Sequence, residues 1–396
     1  MQLHMRAAAV LGAATAVLSM AATAATPSLS RAATLHVGPD KFYKTVTAAA
    51  EAAQPGDMVL IDAGEYRGAS CLARWKTDDV TVRGVGGRAH MRADGAQVGG
   101  KGIWIVSGRN FTAENIEFSG AAVPDRNGAG IRSETEGTLI LRDCSFHGNE
   151  NGILGGADSM VVEGCVFDRN GAGDGKTHNL YVSGRSFTMR YCWTGRAVVG
   201  HNVKTRAKNN YILYNQICDE ADGTASYEVD VPDCGRTYLI GNVIEQGPRS
   251  ENGGIVAYGM ESGENVPDLY VVNNTFVNNR PAGGTFLQLR DGTKARVVNN
   301  IFVGPGTTWS AGDVASQSNY VEPDTRNGPR FMAAAAFDFR LTKASPRSIV
   351  DGGVAPGASI TGFDLTPTLQ YQDPARARPR RASGPLDLGA FELEAK

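Results

Sequence analysis

Ionisable and aromatic side chains recur at matching positions of three short apolar segments, His178–Val182, His201–Arg206 and Tyr227–Val231. Side chains alternate between the two faces of a strand, so the apolar residues of each segment indicate which polar residues point outward. We therefore expect an outward face that carries Asn179, Tyr181, Asn202, Lys204, Arg206, Glu228 and Asp230, with His178 and His201 where their strands begin.

Two later segments, Gly254–Tyr258 and Phe286–Arg290, extend this pattern along the chain. Their alternation predicts that Tyr258 and Arg290 also point outward. Neighbouring strands lie about 4.8 Å apart, so strands stacked in register would bring one residue from each segment into a row. The expected row is Tyr181, Lys204, Asp230, Tyr258 and Arg290, flanked by His178, His201, Arg206, Glu228 and Arg249.

This mixture of side chains fits the β-elimination of a polysaccharide that contains uronic acid. The reaction needs a base for the C5 proton, an acid for the leaving oxygen and a positive charge beside the carboxylate. Lys204 suits the base, because Arg206 and His201 beside it would lower the pKa of its ammonium group. Tyr181 or His178 suits the acid.

Arg206 or Arg249 suits the neutralisation of the substrate carboxylate. A Ca²⁺ ion held by Glu228 and Asp230 would serve the same purpose, so the expected cofactor is either none or Ca²⁺. The remaining polar residues of the face are expected to bind the sugar chain, namely Arg249, Tyr258, Arg290, Asn179 and Asn202.

Other functions use overlapping residues. A glycoside hydrolase would need paired carboxylates, and Asp219, Glu220 and Asp222 lie close in sequence to Glu228 and Asp230. A C5-epimerase would use nearly the same groups as a lyase. A non-catalytic carbohydrate-binding protein would leave Lys204 and Arg206 as a solvated face that pairs with acids across strands.

A repeated phrase indicates the architecture that would stack these segments. In this phrase an apolar strand ends in Cys or Asn, the next residue varies, and the residue after that is usually apolar. Steps of 21, 27, 23, 27, 32 and 26 residues separate the successive Cys or Asn positions. These positions are Cys144, Cys165, Cys192, Asn215, Asn242, Asn274 and Asn300. Short strands at a period in the twenties are typical of a β-solenoid, in which equivalent residues stack in rows. Cys218 and Cys234, outside these rows, could form a disulfide.

The chain divides into three parts. Residues 1–24 have the charged start, apolar run and small residues of a signal peptide. Residues 34–305 are predicted to form the solenoid, with a capping helix at Thr45–Ala53. Residues 306–396 are predicted to form an irregular segment, with closing strands that pack on the solenoid.

We expect an exported monomer, periplasmic or secreted, with no membrane span in the mature chain. A net charge of −2 without basic runs argues against nucleic acid as a partner.

Two closing phrases, Phe337–Pro346 and Leu386–Glu392, resemble those of the pectate lyase-like superfamily. The resemblance implies an all-β fold, a right-handed, single-stranded parallel β-helix with an N-terminal capping helix. In addition, Asn202–Arg206 followed by Asn209–Asn215 resembles the segment that bears the lysine base in the chondroitinase B and alginate lyase family. That local resemblance implies that Lys204 is the base, with Glu228 and Asp230 as the calcium acids and Arg249 as a catalytic arginine.

Overall fold

Short strands joined by tight turns make up most of the computed structural model, which describes residues 32–394. The predicted signal peptide, residues 1–24, lies outside the described residues. The first strands are β1 (Thr34–Val37), β2 (Met58–Arg67), β3 (Ala73–Trp75), β4 (Thr81–Arg92), β5 (Gly102–Val106), β6 (Phe111–Glu114), β7 (Ile116–Ser119), β8 (Ala129–Glu134), β9 (Thr138–Arg142), β10 (Ser145–His147) and β11 (Asn151–Gly156).

The middle of the chain repeats the same unit. Its strands are β12 (Ser159–Glu163), β13 (Val166–Asp168), β14 (Leu180–Ser183), β15 (Ser186–Arg190), β16 (Trp193–Gly195), β17 (His201–Thr205), β18 (Asn209–Leu213), β19 (Gln216–Cys218), β20 (Tyr227–Val231), β21 (Arg236–Ile240) and β22 (Val243–Gln246). The last strands are β23 (Gly254–Tyr258), β24 (Asp268–Val272), β25 (Thr275–Asn278), β26 (Thr285–Leu289), β27 (Lys294–Val298), β28 (Ile301–Val303), β29 (Thr307–Trp309), β30 (Asp313–Gln317), β31 (Tyr320–Glu322), β32 (Leu369–Gln372) and β33 (Arg376–Pro379).

The strands stack in parallel as three ladders around one core. Ladder A runs from the first half of β4 through β6 and β9 to β30, and ladder B from the second half of β4 through β7 and β10 to β31. Ladder C contains ten strands, β3, β5, β8, β11, β14, β17, β20, β23, β26 and β29. Each coil of the chain contributes one strand to each ladder, as in β17, β18 and β19. The predicted right-handed parallel β-helix is confirmed.

Rows of identical side chains fill the interior. Phe118, Phe146 and Phe167 stack with ring centroids 5.0 and 4.8 Å apart. The Asn residues of the repeat phrase are fully buried and form a hydrogen-bonded ladder, in which the Nδ2 atom of Asn242 donates to Oδ1 of Asn274 at 2.9 Å. The three Cys residues of the phrase are buried at the same corner. All six cysteines are unpaired, so the disulfide that Cys218 and Cys234 could have formed is absent.

A short helix, α1 (Val46–Ala52), covers the open end of the first coil. The hydroxyl of Thr45 accepts a hydrogen bond from the Ala48 N–H at 3.2 Å, which satisfies one of the free donors at the start of the helix. Val46, Ala49 and Ala50 face the core and are buried. The apolar residues of the first coil are thereby shielded from water.

Beyond residue 305 the coils continue through β29, β30 and β31, so the solenoid ends at Glu322 rather than at the predicted boundary. The sequence gives little signal here, because Asp313–Gln317 is polar and exposed. The following segment contains the antiparallel pair β32 and β33. It packs on the solenoid through Phe339, Tyr371 and Phe391, which contact Cys218, Val243 and Val277.

Short 3-10 helices lie at Gly68–Cys71, Thr325–Asn327 and Ala334–Ala336. Within residues 32–394, no helix has the length and apolar character needed to cross a membrane.

Candidate functional site

The predicted outward row exists on ladder C, with different residues at two of its five positions. Tyr181 pairs with Lys204, Lys204 with Asp230, and Asp230 with Ala257, which in turn pairs with Gln288. The first three members of the row are therefore as predicted. The fourth and fifth positions are occupied by Ala257 and Gln288.

The predicted outward orientation of Tyr258 is wrong. This residue pairs with Val231 and Leu289 of the inward register, and its side chain is completely buried. Its hydroxyl donates a hydrogen bond to the Gly235 carbonyl at 2.8 Å. Strand β23 contains only apolar residues, glycine and this tyrosine, so alternation alone could not distinguish its two faces.

Lys204 is held between two carboxylates. Its Nζ atom lies 3.0 Å from Oδ2 of Asp230 and 2.9 Å from Oε1 of Glu261, and its side chain is only 9% exposed. Burial lowers the pKa of Lys204, but the two carboxylates outweigh burial and the pKa is raised above its usual value. The expected lowering by Arg206 and His201 is therefore wrong, because acidic neighbours dominate around this ammonium group.

Burial also dominates the titration of Asp230. It raises the pKa of this carboxyl to about 6, although the charge of Lys204 acts in the opposite direction. The pair of Lys204 and Asp230 is nearly excluded from water, and each group is the main electrostatic partner of the other.

Arg206 connects the row to a loop. Its Nε atom donates to the Tyr181 hydroxyl at 2.7 Å and its Nη1 atom to Asp233 at 2.5 Å, while Nη2 contacts Glu261. Burial lowers the pKa of Arg206, but its bonds to Glu261, Asp233 and Tyr181 raise it further than burial lowers it. The ring of Tyr181 lies under both cations, 5.3 Å from the Lys204 ammonium and 5.7 Å from the Arg206 guanidinium.

The loop after β23 delivers Glu261, a residue that the sequence patterns did not reveal. Its carboxylate bridges the side chains of Lys204 and Arg206, and it remains 49% exposed. Arg290 supports the loop, because its Nη1 atom donates to the Ser262 carbonyl at 2.5 Å. Arg290 is thus close to the cluster through the loop rather than as a member of the row. Glu261 lies 57 positions from Lys204 in no repeat register, so no spacing argument could have paired them.

The two histidines lie side by side where their strands begin. Their rings stack at 4.5 Å, and His201 also packs against Tyr227 at 5.1 Å. The backbone N–H of His201 donates to Nδ1 of His178 at 3.0 Å, and Nε2 of His201 lies 3.4 Å from Asp230. Burial, with the nearby Lys204, lowers the pKa of His201 to about 3. Burial lowers the pKa of His178 as well, so both imidazoles are neutral near pH 7.

Asn179, Asn202 and Glu228 point into the interior, which corrects their predicted outward orientation. All three are completely buried. The Nδ2 atom of Asn179 donates to Oδ1 of Asn202 at 2.8 Å, and Nδ2 of Asn202 donates to Glu228 at 2.5 Å and to Asp219 at 3.0 Å. These residues occupy a corner between ladders, where Asn179 and Leu180 both face inward and strict alternation fails.

Glu228 and Asp230 do not form a calcium pair. Glu228 belongs to the interior row, and Asp230 is bonded to Lys204 on the outer face. The two carboxylates share no partner among residues 32–394, so this pair does not fit a single Ca²⁺ ion. Arg249 is exposed in the turn before β23, and its side chain makes no ion pair or hydrogen bond within the described chain.

The acids of the hydrolase alternative offer no open pair of carboxylates. Asp219 and Glu228 are completely buried, and burial raises the pKa of both groups. Glu220 is paired with Arg196 at 2.8 Å, and Asp222 is paired with Arg169 at 2.5 Å.

A groove of about 420 Å³ adjoins the cluster on ladder C. Tyr227, Met260 and Gln288 line part of it, so it reaches the Gln288 end of the row and the residue that precedes Glu261 in the loop.

One family model and one solved structure support the fold. Residues 73–218 match the family model described as a right handed beta helix region. The solved structure of the pectate lyase Pel9A aligns with a TM-score of 0.57 at 14% identity, covering 93% of this chain and 98% of that one. A pectin methylesterase from carrot aligns with a TM-score of 0.33 at 15% identity, covering 74% of this chain and 83% of that one. No curated protein matches the sequence.

Proposed function

We propose that the protein cleaves a polysaccharide containing uronic acid by β-elimination, with Lys204 as the base. The observation that carries this proposal is the carboxylate of Glu261, which bridges Lys204 and Arg206. Two cations that share one carboxylate form a site suited to the carboxylate of a uronic acid. Glu261 is half exposed, so a substrate can displace it without opening the core.

The uronate carboxylate in this position would bring the attached C5 atom close to Lys204. Arg206 would neutralise the carboxylate and so stabilise the charge that develops when C5 loses its proton. Lys204 would accept that proton, the C4–O4 bond would break and a C4=C5 double bond would form. The Tyr181 hydroxyl, held by Arg206, would donate its proton to the departing O4 atom.

Lys204 must be neutral to act as a base, and Glu261 and Asp230 hold it in the charged form. Displacement of Glu261 removes one of these anions and so lowers the pKa of Lys204 towards the value that burial favours. The incoming uronate restores negative charge mainly beside Arg206. We therefore expect the rate of elimination to rise with pH on the alkaline side of neutrality.

The local resemblance of Asn202–Arg206 to the chondroitinase B and alginate lyase family supports the assignment of Lys204. The β-helix fold alone does not, because this fold carries several chemistries. The hydrolase alternative loses support, since its acids are buried or paired with arginines. Export to the periplasm or beyond remains part of the proposal.

The test is an absorbance assay with the purified protein and a panel of uronic acid polysaccharides. Elimination creates an unsaturated product that absorbs ultraviolet light, and K204M should abolish the signal. K208M is the matched control, because Lys208 is an exposed lysine in the following turn. New reducing ends without absorbance would indicate hydrolysis and contradict the proposal. Exchange of the C5 hydrogen without cleavage would indicate an epimerase.

A further inference from the structure

A second cluster of ionisable residues lies on ladder B, near the N-terminal end of the solenoid. Strand pairing places Glu65 beside His90 and His90 beside Glu117 on three successive strands, β2, β4 and β7. His147 lies on the next strand, β10, where it pairs with Ser119. Two of the six histidines of the chain therefore meet on one outer face, away from the row on ladder C.

Both histidines approach the same carboxylate oxygen. The Nε2 atom of His147 lies 2.8 Å from Oε1 of Glu117, and Nε2 of His90 lies 3.7 Å from the same atom. One ligand atom from each residue falls within 4.8 Å of the other two. Ligands about 2.0–2.1 Å from a tetrahedral zinc ion are about 3.3 Å from each other. The distances from Oε1 of Glu117 to the two histidine nitrogens, 2.8 and 3.7 Å, lie on either side of this value.

A further carboxylate faces the rear of His90. Oε1 of Glu65 lies 3.6 Å from Nδ1 of His90, while the Ser119 hydroxyl lies 2.7 Å from Nε2. Histidine ligands commonly direct their second nitrogen at a carboxylate, which fixes the ring and strengthens the nitrogen that binds the metal. Glu65 is placed for this purpose.

The arginines beside the two histidines are held by groups other than Glu117. Arg92 at the edge is engaged by Asp94 at 2.8 Å, and Arg88 donates to the Asp143 carbonyl at 3.0 Å.

We propose that His90, Glu117 and His147 bind one zinc ion, or a divalent transition-metal ion of similar preference, with water completing the coordination. Two imidazole nitrogens and one carboxylate oxygen favour such an ion over Ca²⁺ or Mg²⁺, which prefer all-oxygen sites. The ion would connect strands β4, β7 and β10, and so fasten three successive coils behind the N-terminal cap. This site does not depend on the proposed lyase activity.

The test is a calorimetric titration of the metal-free, untagged protein with ZnCl₂. We expect one equivalent to bind, and H90A and H147A each to weaken binding at least tenfold. H36A is the matched control, because His36 is exposed on β1 and should leave binding unchanged. All six cysteines are buried in the solenoid, so thiols do not compete for the ion.

A second measurement guards against misfolded variants. His147 is 42% exposed, so H147A should melt at nearly the same temperature as the wild type without metal. Zinc should raise the melting temperature of the wild type and H36A by several degrees and leave that of H147A unchanged. Equal zinc affinity in wild type, H90A and H147A, or no binding to the wild type, would overturn the proposal.

Discussion

The ammonium group of Lys204 lies 3.0 Å from the carboxylate of Asp230, and the two side chains are only 9% and 5% exposed. This lysine therefore does not lie on a solvated face. Each charge is kept in a poorly hydrated position by the other, because an isolated buried charge costs several kcal/mol. The pair links β17 to β20.

The first prediction concerns this pair. K204M should lower the free energy of unfolding by about 3 kcal/mol, because Asp230 stays buried and loses its cationic partner. The double variant K204M/D230N should recover much of that loss while remaining inactive. Urea denaturation measures both effects. If the double variant were no more stable than K204M, the two groups would not be energetically coupled.

The second prediction concerns Glu261. In E261Q the competing carboxylate is neutral, so a uronic acid polymer should bind the Lys204–Arg206 site more readily. We expect KM to fall severalfold with little change in kcat, measured as initial rates of elimination. E264Q, an equal charge change on an exposed position of the same loop, should behave like the wild type. A higher KM in E261Q would mean that Glu261 assists binding instead of competing with it.

The third prediction concerns acid stability. The pKa of His201 is lowered to about 3 in the folded protein, against 6.5 in the unfolded chain. Below pH 6.5 the unfolded chain takes up a proton that the folded protein does not, so stability is lost as pH falls towards 3. One such group contributes up to about 1.4 kcal/mol per pH unit.

H201F should make this loss shallower, because phenylalanine keeps the stack between His178 and Tyr227 but does not titrate. Free energies of unfolding at pH 7, 6, 5 and 4 measure the difference. Asp230 and His178 are present in both proteins, so the difference between the two curves reports on the loss of the His201 imidazole. Parallel curves for the two proteins would contradict the assignment of a neutral, buried imidazole.

The fourth prediction concerns the interior Asn ladder. N242A removes a side chain that bonds Asn215, Asn274 and the Ile212 carbonyl, and it leaves buried polar groups without partners. We expect a loss of about 2–4 kcal/mol in the free energy of unfolding. N209A, at a more accessible position of the preceding coil, should cost less than about 0.5 kcal/mol. Similar losses in both variants would show that the ladder contributes little to stability.

The repeat phrase predicted the solenoid because every coil must place a small or amide side chain at the same crowded corner. Asn242 and Asn274 illustrate this, since each amide bonds its equivalent on the next coil. The end of the solenoid was less visible. Ladder strands as polar as Asp313–Gln317 leave no apolar phrase in the sequence, although their backbones still pair.

Alternation placed Tyr181, Lys204 and Asp230 correctly because each follows directly after a buried apolar residue of its strand, Leu180, Val203 or Val229. It failed for Asn179, Asn202 and Glu228 because they lie at a corner, where consecutive residues face inward. It also failed for Tyr258, whose strand has no polar face to set its register.

The sequence by itself determined the stacking of coils and the residue types that line ladder C, since both follow from periodic local preferences. Only the tertiary structure decided the charge environment of Lys204. The raised pKa of Lys204 depends on Glu261, which a loop brings from 57 positions away. Electrostatic interactions depend on distance through space and on burial, and neither quantity has a period along the chain.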